Sequence, residues 1–149
     1  MKATFALGAL AALSQSAFSL REGTYMIGSP ALDPSLVLGE TRTDGGPLEF
    51  APRNGHPGQT WFLQLSGSSN RDFFVNNTLG GYINCGTEEG SLCFAGEEPQ
   101  IYTLESAGDN KYEFVSQGSS YFLRVNEQRV LQLAAWDQSP NEQFTLTSS

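Results

Sequence analysis

The chain has 149 residues, 16 acidic and 8 basic, and carries a formal charge of −8 at pH 7. That length suits one domain with a real core, and 16% charged against 11% aromatic residues excludes a disordered chain. No Lys/Arg cluster offers a footprint for nucleic acid, and two cysteines build neither a disulfide-dense miniprotein nor a four-cysteine zinc site.

The first element is an address. Lys2, the apolar run from Phe5 to Leu13 and the small residues Ala17 and Ser19 have the pattern of a secretory signal peptide over residues 1–19. The run is too short to span a bilayer, which needs about 20 apolar residues. Cleavage after Ser19 leaves residues 20–149 as one domain and removes Lys2, so −8 becomes −9. No second apolar stretch follows. A secreted, extracellular protein without membrane insertion is expected, in a compartment that permits disulfides.

Beyond Ser19 the pattern is alternation at period two, bounded by Gly, Asn, Ser or Pro, which predicts strands. In chain order the apolar pairs are Tyr25/Ile27, Leu36/Leu38, Leu48/Phe50 and Trp61/Leu63. Phe73/Val75, Ile83/Cys85, Leu92/Phe94 and Tyr102/Leu104 come next, then Tyr112/Phe114, Leu123/Val125, Leu131/Leu133 and Phe144/Leu146. The rings at 61, 102 and 144 recur at intervals of 41 and 42 residues, each preceded two positions earlier by Gln59, Gln100 or Glu142. The chain thus reads as three repeats of four strands, about 23–66, 71–107 and 110–148. Three units are too few for a propeller, and a closed threefold barrel leaves no sheet edges exposed.

Gln59-Thr60-Trp61, Gln100-Ile101-Tyr102 and Glu142-Gln143-Phe144 resemble the Q-x-W motif of ricin B-type lectins, and Gly23–Ile27 resembles the opening strand of such modules. The resemblance covers residues 20–149 and implies an all-β fold, a β-trefoil with pseudo-threefold symmetry. The motif itself reads as structural: the ring anchors its repeat and the amide satisfies a neighbouring loop. Glu142 keeps an acceptor but loses the NH₂ donor, so the third loop is expected to be held differently.

In the resembling family a sugar pocket combines a second-strand carboxylate, an aromatic platform after the third strand and an Asn before the Q-x-W glutamine. Rings stack on pyranose C–H faces while Asp and Asn read hydroxyls. The third repeat fits best, with Trp136 as platform, Asp137 beside it and Asn141 before Glu142, although Arg124 takes the carboxylate position. Trp136 has two readings: an exposed stacking surface, or a ring folded over its own turn-rich loop. The second repeat has Asn84 at the carboxylate position, Pro99 in place of the Asn and a shortened loop. The first has Gly58 before its glutamine and the polar residues Arg53, Asn54 and His56 without a ring platform.

Cys85 and Cys93 flank one hairpin and are expected to form a disulfide. Glu88, Glu89, Glu97 and Glu98 crowd the same hairpin and read as solvated surface, since no Asp-rich calcium spacing accompanies them. Asn76-Asn77-Thr78 is an N-glycosylation acceptor sequence expected on a loop. No nucleophile motif surrounds the single histidine, and short loops build shallow pockets, so no enzyme and no cofactor are expected. The reading is a carbohydrate-binding protein with glycans or polysaccharides as partners. Its alternative is a trefoil that binds proteins, such as a protease inhibitor or host-interaction protein, through Ala31–Pro34 and Arg42–Pro47. The oligomeric state is not fixed by these features.

Overall fold

A computed structural model describes residues 20–40, 45–67 and 69–149. The expected signal peptide and Arg42–Asp44 of the first-repeat loop lie outside the described residues. The strands are β1 (Gly23–Gly28), β2 (Leu36–Gly39), β3 (Glu49–Pro52), β4 (Trp61–Leu65), β5 (Asp72–Asn77), β6 (Tyr82–Asn84), β7 (Phe94–Gly96), β8 (Ile101–Gly108), β9 (Lys111–Ser116), β10 (Phe122–Val125), β11 (Leu131–Ala134) and β12 (Thr145–Ser148). Helical structure among the described residues is confined to two 3₁₀ turns, Pro57–Gln59 and Pro140–Glu142.

Six strands make a barrel. β12, β1, β4, β5, β8 and β9 pair antiparallel in that order, and reciprocal backbone bonds between Tyr112 and Phe144, 2.9 Å each, close the ring. The pairs β2–β3, β6–β7 and β10–β11 are hairpins that cap one end. Their backbones meet in a cycle: the Leu48 amide donates to the Cys93 carbonyl at 2.8 Å, Cys93 to Leu131 at 2.9 Å, and Leu131 to Leu48 at 3.0 Å. Such a cycle is the signature of a pseudo-threefold axis. The fold is a β-trefoil.

Period-two alternation sends one face of each barrel strand inward, as in β5, where Phe73, Val75 and Asn77 are buried. Trp61, Tyr102 and Phe144 are fully buried, and each such ring removes roughly 150–250 Å² from water. The first two also tie strand to hairpin, through Trp61 Nε1 donating to the Leu38 carbonyl and the Tyr102 hydroxyl to the Ile83 carbonyl, both at 3.0 Å. Phe144 has no polar handle. It lies nearly parallel to Phe50 at 6.2 Å and edge-on to Phe114 at 5.5 Å.

Two expectations are corrected. The cycle makes Cys93, not Leu92, the equivalent of Leu48 and Leu131. Leu92 and Phe94 therefore point outward, 38% and 40% exposed, while Cys93 is buried. A one-residue offset exchanges the faces of a strand, and here the larger apolar residues mark the wrong face. Cys85 and Cys93 do form the expected disulfide. Asn76 lies on strand β5, opposite Phe62 and Tyr82, rather than on a loop, and its side-chain oxygen is buried without a hydrogen-bond partner.

Candidate functional site

Hairpin register brings Leu38, Ile83 and Leu123 into equivalence, opposite Phe50, Ala95 and Leu133. The next residue of each strand is the position at which the ricin B-type resemblance leads one to expect a sugar-reading carboxylate. It is Gly39 in the first repeat, Asn84 in the second and Arg124 in the third.

In the first repeat the position is closed by packing. A Cβ on Gly39 would stand 2.8 Å from Cγ of Gln59 and 3.3 Å from the Gly58 carbonyl oxygen. Gln59 accepts from the Asn54 amide and donates to the Pro52 carbonyl, both at 3.0 Å. Asn54 and His56 are spent on the same loop, accepting from the amides of His56 (2.9 Å) and Gly58 (3.0 Å). Gly39→Ala is accordingly expected to cost roughly 1–2 kcal/mol in urea unfolding, an overpacking penalty. In the second repeat Asn84 is likewise engaged, donating to the Glu98 carbonyl and accepting from the Gly86 amide, both at 3.2 Å. Ala95 to Tyr102 spans seven positions, against eleven from Phe50 to Trp61 and from Leu133 to Phe144. No platform loop is left there.

The third repeat is open. Trp136 is 52% exposed. It folds over β10 rather than over its own loop: its ring lies on Phe122 at 6.2 Å with planes 28° apart, and Nε1 donates to Glu113 Oε2 of β9 at 3.0 Å. Glu89 in the neighbouring hairpin accepts from the Ala135 amide at 3.4 Å, steadying the approach to the ring. Asp137 takes a hydrogen bond from Arg124 through Oδ2 and one from the Ser139 amide through Oδ1 at 2.9 Å. Its carboxyl is held below the usual range, chiefly by the Arg124 hydrogen bond. Arg124 in turn lines a cavity of about 410 Å³ with Asn126, Glu127, Gln132 and Asn141. Asn141 is oriented by Ser139, whose hydroxyl oxygen accepts from both its amide nitrogens at 3.0 Å.

The three predicted residues are thus neighbours but not co-lining. Asn141 borders the cavity, Trp136 forms a ledge outside it, and the Arg124–Asp137 pair joins the two. Asn126 and Gln132, hydrogen-bonded to each other at 3.0 Å, complete the polar wall and were not marked by the motif. Their signal in the sequence is their spacing from Arg124: Gln132 stands opposite it on β11, and Asn126 follows two residues on, just past the end of β10.

Beneath the loop lies Glu142, fully buried. Oε1 accepts from the Asp137 amide at 3.0 Å, as Gln59 does from Asn54. Oε2 occupies the place of the glutamine NH₂ and has no hydrogen-bond partner, only the Arg124 guanidinium at 3.6 Å. Burial raises its pKa above 4.5. The expected loss of the donor is real, and Arg124 is what stands in for it.

No family model and no curated relative matches the chain. Among solved structures, the designed threefold-symmetric protein ThreeFoil superposes with a TM-score of 0.74 at 19% identity, over 85% of this chain and 99% of that one. The Rhizoctonia solani agglutinin gives 0.75 at 16%, covering 88% and 98%. A Macrolepiota procera ricin B-like lectin, solved in complex with lactose, gives 0.73 at 15%, covering 87% and 99%. The fold is therefore that of ricin B-like β-trefoil lectins.

Proposed function

We propose that the chain is a secreted, non-enzymatic carbohydrate-binding protein that holds a glycan on the outer face of its third repeat. The carrying observation is Trp136, a ring half in solvent yet fixed by Phe122 and Glu113. Such a ring stacks on a pyranose at little entropic cost. Asp137 accepts and Asn141 donates to hydroxyls on one side of it, with Arg124 adding donors where the family pattern has an acceptor. Lectin folds among the structural neighbours support the same reading. Secretion rests on the composition of residues 1–19. With the first two positions filled, one shallow site per chain remains, and strong retention requires several chains on one surface.

The native protein is expected to be retained on immobilised polysaccharides and on a glycan array. Trp136→Ala should weaken retention about tenfold, the worth of one ring stack, with the thermal melt nearly unchanged. Undiminished retention would remove the third-repeat site. Absence of native retention, together with inhibition in a protease panel, would move the protein to the protein-binding trefoils.

A further inference from the structure

A second cavity, about 440 Å³, lies under the first-repeat loop at residues 29–34 and against the outer faces of β1 and β12, and shares only Leu32 with the third-repeat cavity. Its chemistry differs from that of a sugar-hydroxyl pocket. The lining holds one ionisable side chain, Arg53, and no carboxylate. Among the described residues the Arg53 guanidinium has neither a hydrogen-bond nor an ion-pair partner. Only its backbone amide is fixed, to the Ser35 carbonyl at 3.1 Å. The nearby acid of the loop, Asp33, is not in the lining, and its Oδ1 turns back to the Ser35 amide at 2.8 Å.

In a chain of charge −8, an unpaired arginine over a cavity without acids selects an anion. Besides Ser29, whose hydroxyl oxygen accepts from the Ala31 amide, the polar groups at the wall are Thr145, Thr147 and Asn110, which offer hydroxyl and amide hydrogens to a second oxygen. The apolar part of the lining is Met26, Pro30, Leu32, Pro34 and Val37. One arginine without a helix N-terminus or a nest of amides suits a monoanion better than a phosphate dianion. The loop is built before any ligand arrives, since Ser29 accepts from Ala31 and Leu32 while Asp33 accepts from Ser35 and Leu36. Such preformed cavities of mixed lining are what small ligands occupy.

We propose that this cavity is a second binding site, distinct from the one beside Trp136, for a small organic carboxylate with a compact apolar body. Arg53 grips the carboxylate, and Leu32, Pro34 and Val37 cover the body.

The test titrates the isotope-labelled protein with cyclohexanecarboxylate and with cyclohexanecarboxamide, its neutral isostere, and follows amide and Arg Nε–H resonances. The carboxylate is expected to shift Arg53, Thr145 and Thr147 saturably, the amide at least tenfold more weakly. Arg53→Gln should abolish the preference between the two probes without moving the thermal midpoint. Trp136→Ala should leave the titration unchanged, which separates this site from the glycan reading. Equal responses to the two probes, no saturable shift, or an unaltered titration in Arg53→Gln would overturn the proposal.

Discussion

Arg124→Ala is expected to destabilise the protein by about 2 kcal/mol near neutral pH, and by less as the solution is acidified. Removing one partner of a buried ion pair costs about 3–5 kcal/mol, discounted here because Arg124 keeps 27% of its side chain in solvent. What remains behind is the Glu142 carboxylate, fully buried, with Oε2 facing no donor. Its pKa is raised in the folded state, so the folded protein binds the Glu142 proton more readily than the unfolded chain does. This group therefore costs nothing below about pH 4.5, its unperturbed value, and its penalty grows as pH rises through the higher folded value. Losing Arg124 enlarges that penalty at neutral pH only. Asp137 works in the same sense: its pKa is lowered, so its contribution is present above the unfolded value and lost as pH falls through the folded one.

The conservative partner of this experiment is Glu142→Gln. It restores the amide that Gln59 uses toward the Pro52 carbonyl, and seven residues before 142, as before 59, the corresponding position is Ala135. A gain of about 1 kcal/mol at neutral pH is expected, one satisfied hydrogen bond, with a flatter stability profile from pH 4 to 8. In Arg124→Ala/Glu142→Gln most of the single-mutant loss should vanish, a coupling of the kind contacting residues show. Urea unfolding of the four proteins at two pH values measures it. Additive losses would mean that Arg124 acts through Asp137 alone.

The repeat was legible because the alternation, the three rings and their Gln or Glu escorts are local to each strand and recur at one interval. All twelve predicted strands exist. What misled was the second hairpin, where size rather than position marked the apolar face: Leu92 and Phe94 outweigh Cys93 and Ala95, yet the backbone cycle through Leu48, Cys93 and Leu131 places the smaller pair inside. At the site, Trp136 was legible from a turn-rich loop following a finished strand. Its anchors were not, because Phe122 and Glu113 are 14 and 23 residues away and reach it only through the pairing of β9 with β10. The free state of Arg53 was equally hidden, since nothing local says which arginines find a carboxylate.

Removal of the disulfide is expected to have the largest effect of any surface-neutral change, and to act on one hairpin. Linking residues eight apart restricts the unfolded chain by roughly 2.5 kcal/mol in the loop-entropy account. Cys85→Ala/Cys93→Ala also removes two buried sulfurs, so a loss of about 3 kcal/mol and a fall in thermal midpoint on the order of 10 °C are expected. The further consequence concerns register. With Cys93 tied to Cys85, β7 is held with Ala95 opposite Ile83, against the bias of Leu92 and Phe94. Without the tie, a one-residue slip would bury both, opposed by the amide bonds at Cys93 and by Gln100, which accepts from the Cys85 amide at 2.8 Å. Hydrogen exchange should therefore lose protection across Cys85–Gln100 while β10–β11 stays protected to the global limit. If instead all three hairpins weaken together, the cycle on the threefold axis, and not the disulfide, is what fixes the register of β7.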